Sequence, residues 1–249
     1  MSSNDDKIAL VTGGSRGVGR AIVDALAAQG VRIAFCFRSD TGAAERCARE
    51  VRDRYGIEPL VVQADVTVEG DRHTLVESVH RSLGGLDILV NNAGTTEDGV
   101  AFRMKDAWDR VVSLDLTAPF RLAQLAIRHM MRNGWGRIIT IGSIAARLGV
   151  PGQVNYAAAK AGVEGMTRSL AQEYGRRGIT VNTVSPGFIE TDLTRDVGEM
   201  GRHYVEHYSA LGRCVTAESV AAVVAFLASE ASWAITGQTI NVDGGLVKL

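Results

Sequence analysis

Short apolar runs alternate along this chain with longer segments whose apolar residues recur every three or four positions. Residues 7–12, 31–37, 60–64 and 86–90 read as strands rich in Val, Ile, Leu and Phe. So do the run Ile138, Ile139, Thr140, Ile141 and residues 179–184 and 239–242. Between them lie helical patterns. One carries Ala21, Ile22, Ala25 and Leu26 and stops at Gly30; others cover 41–55 and a stretch ending near Leu83. A single long helix is expected over roughly 108–132, an alanine-rich one around Tyr156, and one over 218–228. Residues 188–214 are polar and irregular and predict no regular element. Short buried strands alternating with helices predict an α/β, Rossmann-like doubly wound parallel sheet with helices on both faces. No repeat, low-complexity tract or linker divides the chain, so residues 1–249 are expected to form one domain.

Right-handed crossovers in such a sheet put the ligand crevice at the carboxyl ends of the strands. Gly13 to Gly19, Asp65, Asn91 to Gly94, Ser143 and Pro186-Gly187 all fall at such ends. Among them, Ser143 is a hydroxyl delivered at a strand tip, and Tyr156 and Lys160 sit four apart on one helical face. Taken alone, such a Tyr–Lys pair reads as surface decoration; the company of the other strand-end motifs reverses that reading. An ammonium beside a phenol favours phenolate and draws a tyrosine pKa of ~10 toward neutrality, as a general acid/base near pH 7 requires.

The loop after the first strand, Gly13-Gly14-Ser15-Arg16-Gly17-Val18-Gly19, opens a helix, where backbone N–H groups and the helix dipole favour a phosphate. Its spacing is Gly13-x3-Gly17-x-Gly19 rather than GxGxxG. An acidic residue at the end of the second strand would select the unphosphorylated ribose of NADH. Phe37 stands there instead, followed by Arg38 and Ser39, and Asp40 reads as the cap of the next helix. Arg38 and Arg16 are placed to clamp a 2′-phosphate, which favours NADPH; solvated surface arginines are the plain alternative.

Charge and composition narrow the partners. Lys+Arg at 27 against Asp+Glu at 28 leaves no bulk footprint for nucleic acid or a membrane surface. Three widely spaced cysteines, Cys36, Cys47 and Cys214, suit a reducing compartment, with Cys36 as buried filler. The polar, acidic start and the absence of a membrane-length apolar run make a soluble cytoplasmic protein the expectation.

With Thr12-Gly13-x3-Gly17-x-Gly19, Asn91-Asn92-Ala93-Gly94, Ser143, Tyr156-x3-Lys160 and Pro186-Gly187 in this order, the whole chain resembles the short-chain dehydrogenase/reductases. GQVNYAAAKAG (152–162) and PGFIETDLT (186–194) are most similar to the 3-oxoacyl-(acyl-carrier-protein) reductases. The resemblance implies a cofactor half near 1–135, a catalytic and substrate half near 136–249, and a homotetramer. It implies Tyr156 as proton donor to a ketone, Ser143 holding the carbonyl oxygen, and Lys160 binding the nicotinamide ribose and lowering the tyrosine pKa. It also assigns cofactor contacts to Gly13, Ser15, Gly17, Val18 and Gly19, and to Asp65 and Val66 at the adenine. Asn91, Ala93, Gly94, Pro186, Gly187, Ile189 and Thr191 would line the rest.

One position departs from the pattern. The family usually carries an asparagine in the long helix, completing a water-mediated proton relay to the lysine; here VVSLDLTAPF places Asp115. A carboxylate accepts hydrogen bonds but does not donate as an amide does, and its charge offsets part of the lysine field. Asp115 is expected to serve as a near-isostere in a working relay. Arg132, Arg137, Arg176 and Arg177 are candidates for a basic rim facing an acidic carrier protein, with scattered solvated arginines as the alternative. His203 to His207 (HYVEH) matches a zinc-peptidase spacing, yet no third ligand accompanies it. It falls in the expected substrate lid, where Phe188, Tyr204 and Tyr208 would cover the substrate. Trp108, Trp135 and Trp233 read as packing residues. Two other readings remain: a reductase of another ketone (acetoacetyl-CoA, a polyketide, a sugar or a steroid), and a non-catalytic cofactor-binding subunit.

Overall fold

The computed structural model describes residues 7–189 and 198–247. Among these, seven strands form one parallel sheet in the order β3-β2-β1-β4-β5-β6-β7. They are β1 (Ile8–Thr12), β2 (Arg32–Phe37), β3 (Leu60–Gln63), β4 (Ile88–Asn91), β5 (Gly136–Ile141), β6 (Ile179–Pro186) and β7 (Thr239–Val242). The strand order reverses between β1 and β4, and that switch point opens the crevice at the carboxyl edge.

Period-two alternation in the strands builds a core on each face. In β1, Ala9 and Val11 point to one side and Ile8 and Leu10 to the other; in β2, Ile33, Phe35 and Phe37 oppose Ala34 and Cys36. The first face is covered by α1 (Gly17–Ala27), α2 (Thr41–Tyr55) and α9 (Ala217–Leu227), through residues such as Ile22, Leu26, Val51 and Val224. The second is covered by α3 (Glu69–Leu83), α5 (Ala118–Asn133) and α7 (Val154–Tyr174), through Leu75, Val79, Leu122, Met130 and Leu170. Asp40 caps α2 as expected, its Oδ1 accepting from Ala43 N at 2.8 Å. Cys36 and Cys47 are buried, and burial pushes both thiols up to about 11, so neither is a thiolate near neutral pH.

The structure corrects several details. The helix expected as one piece is α4 (Asp106–Val112), a π-helical turn (Ser113–Thr117) and α5 in succession. Pro119 explains the break. It has no N–H to give the carbonyl four residues back, which belongs to Asp115, and its ring crowds that carbonyl. The backbone widens instead, and Ala118 N reaches Ser113 O, five residues back. A short helix, α6 (Ala145–Leu148), follows β5, and α8 (Gly198–Tyr208) lies where no regular element was expected. Trp233 is not packed inside: it is 72% exposed. Trp135 is held between Lys7, 3.8 Å from its ring centroid, and Arg137 at 4.2 Å.

Leu10→Ala tests the two-sided core. Leu10 is wholly buried in the central strand, so its truncation is expected to lower unfolding free energy by about 2–5 kcal/mol in urea titration.

Candidate active site

Asn92 and Thr12 lock the start of the crevice. Asn92 Nδ2 donates to Thr12 O (2.9 Å) and Gly13 O (3.1 Å), while Thr12 Oγ1 accepts from Asn92 N (2.9 Å) and Ala93 N (3.0 Å). The tip of β4 is thereby bolted to the glycine loop after β1. Neither residue was singled out as functional from sequence, although both lie inside the quoted motifs.

The loop leads into α1 with Arg16 at the cap position and no side-chain cap on the first N–H groups of the helix. A Cβ on Gly19 would stand 2.2 Å from Gly13 O and 2.4 Å from Asn92 Nδ2, so only glycine fits there. Ser15 and Val18 are half-buried beside it, and Arg16 and Arg38 are exposed. Phe37, where a ribose-binding carboxylate would stand, belongs to the core. Ser39 and Asp40 follow as exposed residues. Asp65 is held in place by Thr67, whose N and Oγ1 donate to Asp65 Oδ1 at 2.9 and 2.7 Å. Partial burial raises the Asp65 carboxyl, but these hydrogen bonds and the Arg38 charge outweigh it and hold the group below its ordinary range. The Val66 side chain lies in the core, and its carbonyl accepts from Arg72. Asn91 Oδ1 and Ser185 Oγ, buried near the tips of β4 and β6, have no protein partner. Pro186 ends β6, Gly187 N donates to Val242 O, and Ile189 is buried beyond them. Thr191 lies outside the described residues.

At the other side of the crevice, Ser143 stands two residues past β5. Its Oγ accepts from Ala145 N at 3.1 Å, which fixes the oxygen and leaves its proton as a donor. Lys160 sits one turn after Tyr156 on α7, with its Nζ 5.4 Å from the Tyr156 ring centroid. Lys160 is 5% exposed, and Nζ reaches Ile141 O at 2.9 Å and Asp115 Oδ1 at 3.0 Å. Asp115 is wholly buried in the π-helical turn; Oδ2 accepts from Thr95 N at 3.1 Å, and Oδ1 has no partner besides the ammonium. A Cβ on Gly94 would come within 2.6 Å of that Oδ1. Tyr156, Lys160 and Asp115 therefore meet, with Ser143 two residues past the Ile141 carbonyl that Lys160 reaches, and the widened helix turn is what presents Asp115.

Burial alone would push the Lys160 ammonium toward neutrality. The Asp115 charge, the neighbouring Tyr156 and the contact to Asp115 outweigh it and raise the pKa above the ordinary 10.5. The lysine is a permanent cation at physiological pH.

Two expectations about the surroundings fail or narrow. Arg137 is 2% exposed, bonded to Ser229 O and Gly136 O and paired with Glu230. It is the second residue of β5, while Arg132 lies in the last turn of α5 and Arg176 and Arg177 lie just before β6. The four therefore lie toward the amino ends of the strands, opposite the crevice, and form no rim around it. On α8, the His203 and His207 rings are 6.4 Å apart, and no group of three or more His, Cys, Asp or Glu side chains is placed to hold a metal among the described residues. Tyr204 and Tyr208 are exposed on the same helix, and the Phe188 ring fills the space in front of Gly201.

A family model described as enoyl-(acyl carrier protein) reductase matches residues 13–247. The chain is 44% identical over 245 residues to the 3-oxoacyl-(acyl-carrier-protein) reductase FabG of Salmonella typhimurium, covering 98% of each chain. This chain belongs to the short-chain dehydrogenase/reductase family. It is likewise 44% identical to the 3-oxoacyl-(acyl-carrier-protein) reductase FabG of Escherichia coli K12, over 97% of this chain and 98% of that one. The enzyme of that name from Pseudomonas aeruginosa is 44% identical over 96% and 97% of the two chains. Membership of the family implies a nicotinamide cofactor. The residues fit one: an uncapped helix start behind a loop that admits no side chain at Gly19, orphan polar atoms at two strand tips, and a cation beside a phenol.

The buried pair makes a pH prediction. With its folded-state pKa above the unfolded one, Lys160 contributes stability that is complete below the unfolded value and is lost as pH climbs through the folded value. Asp115→Asn is expected to cost about 1.5–3 kcal/mol. In denaturant titrations that gap should hold between about pH 6 and 9 and narrow above about pH 10.5. A gap that instead widened at high pH would contradict the assigned charge state.

Proposed function

We propose that this chain reduces a 3-oxoacyl thioester, presented on an acyl carrier protein, to the 3-hydroxyacyl product with NADPH, in fatty-acid or polyketide assembly. The observation that carries the reading is the near-full-length likeness to reductases named for that substrate; the Lys160 ammonium beside the Tyr156 ring and at the end of β5, two residues before Ser143, supports it.

When bound, the reduced nicotinamide supplies the hydride that the carbonyl carbon receives. The chain's own residues manage the oxygen. Ser143 donates a hydrogen bond to it, which orients the ketone and favours negative charge there. Tyr156 gives its phenolic proton to the oxygen, so the product is the neutral alcohol. Lys160 keeps a positive charge beside the phenolate that results, and Asp115 and Ile141 O keep that ammonium from swinging away. Gly13, Ser15, Gly17, Val18 and Gly19 hold the pyrophosphate side, Asp65 and Val66 the adenine, and Asn91, Ala93 and Gly94 the ribose and nicotinamide. Tyr156 and Lys160 also border the nicotinamide ribose, and Pro186, Gly187, Ile189 and Thr191 complete the lining. Arg16, Arg38 and Ser39 select the 2′-phosphate, since a cation pair favours it and Phe37 offers no carboxylate to the free ribose hydroxyls. The family description favours a second reading, reduction of an enoyl thioester, in which no ketone oxygen needs the Tyr156 proton. We read the protein as a cytoplasmic homotetramer; among the described residues no helix is long and apolar enough to cross a membrane, and Phe226 and Trp233 offer exposed apolar surface to a partner copy.

NADPH oxidation against a panel of 3-oxoacyl, enoyl, sugar and steroid substrates tests the assignment; a preference for the enoyl thioesters would replace the ketone reading. Tyr156→Phe is expected to lower ketone reduction at least ~10³-fold while NADPH still binds, and full activity in that variant would overturn the mechanism. Asp115→Asn is expected to change turnover by about tenfold or less. Arg38→Ala should narrow the NADPH-over-NADH preference in kcat/KM by about tenfold, the worth of one exposed ion pair and its hydrogen bond.

A further inference from the structure

We propose that Asn155 is a positioning residue, holding the backbone of Tyr156 against the loop that follows β4 so that the phenol is aimed only while that loop is in place. The role in turnover rests on the ketoreductase reading; the restraint itself does not.

Asn155 precedes Tyr156 in the first turn of α7, a place where N–H groups lack helical partners. Polar residues there usually face water, yet Asn155 is wholly buried. Its amide is engaged on both sides. Oδ1 accepts from Tyr156 N at 2.8 Å, while Nδ2 donates to Glu97 O at 3.1 Å and Ala107 O at 3.2 Å. Two carbonyls on one side and an N–H on the other allow one orientation of the amide only. A single side chain thus ties the start of α7 to the loop after β4 and to α4.

Neighbouring bonds run the same way. Gly99 N donates to Gly152 O at 2.9 Å, Gln153 Nε2 reaches both Asp98 carboxylate oxygens at 3.1 Å, and Arg110 of α4 holds the Glu97 carboxylate. The far end of the loop is anchored too, since Thr95 N donates to Asp115 and Asn92 is bonded to Thr12 and Gly13. Asn155 differs from the other ties in touching the backbone of the proton donor itself. Losing it removes the acceptor for Tyr156 N and both ties to Glu97 O and Ala107 O, and frees the Tyr156 turn to shift. Misplacement of a proton donor by about 1 Å costs on the order of a hundredfold in rate.

Asn155→Ala is therefore expected to lower kcat for a 3-oxoacyl thioester about 30- to 100-fold, with KM and NADPH affinity, read by cofactor fluorescence, held within about threefold. Asn155→Ser, smaller and still able to accept from a first-turn N–H, should recover part of the loss and serves if the alanine variant melts out. Amide hydrogen exchange of NADPH-bound protein supplies the second readout: the Tyr156 amide and residues 95–99 should exchange faster together in Asn155→Ala, while the C-terminal half of α7 stays protected. An alanine variant within twofold of wild-type kcat, or one losing NADPH affinity as much as kcat, would overturn the proposal, and so would unchanged exchange at 95–99. Wild-type protein idle on every thioester would sink the ketoreductase reading instead, leaving the exchange comparison to decide for or against the restraint.

Discussion

The arrangement depends on one desolvated charge pair. A lysine ammonium removed from water loses several kcal/mol of hydration unless an opposite charge and further acceptors replace it. Lys160 receives Asp115 and the Ile141 carbonyl, and in exchange its position is defined to within a hydrogen bond. Three separate elements must be in register for that to happen: the end of β5, the π-helical turn, and the face of α7. The sheet sets the first, the second depends on a helix that departs from regular geometry, and helical spacing sets the third. Each is a consequence of local chemistry, and the ion pair is where they are obliged to agree.

The π-helical turn shows how a local violation serves a distant purpose. A regular helix through 106–133 would keep Asp115 at ordinary pitch, and Pro119 forbids that pitch. The widened turn redirects the carboxylate into the site, where Gly94 leaves just enough room for its oxygen and Thr95 N satisfies the other. A departure from regular geometry that would serve nothing in a surface helix here presents a buried acid.

Much of this was legible in the chain. Strand positions followed from short β-rich runs, and the parallel order from their alternation with amphipathic helices. The gathering of Gly13–Gly19, Asn91–Gly94, Ser143 and Pro186 followed from the rule that such sheets bind at their carboxyl edge. The π-helical turn was missed because periodicity averages over a single added residue, although the Pro119 to Asp115 spacing of four carried the signal. The burial of Arg137 was missed because charge alone says nothing about which end of a strand a residue opens. Asn155 and Asn92 passed unremarked because an amide earns its role through partners remote in sequence, and no local pattern announces them. The helix at 198–208 was missed although Tyr204, Val205 and Tyr208 recur at helical spacing, because its glycines and charged residues read as loop.

Phe37 has a wider consequence. At the end of β2 it fills the core on the first face of the sheet, so the site where many dinucleotide enzymes carry a ribose-binding acid is occupied here by a packing residue. On the function proposed above, cofactor preference and folding are thus written into adjacent but separate positions. An acid at 37 would bury an unpaired charge and harm the domain before it altered any selectivity. Exposed residues 38 and 39 carry no such burden, and divergence toward another reductant has that narrow stretch of chain as its open route.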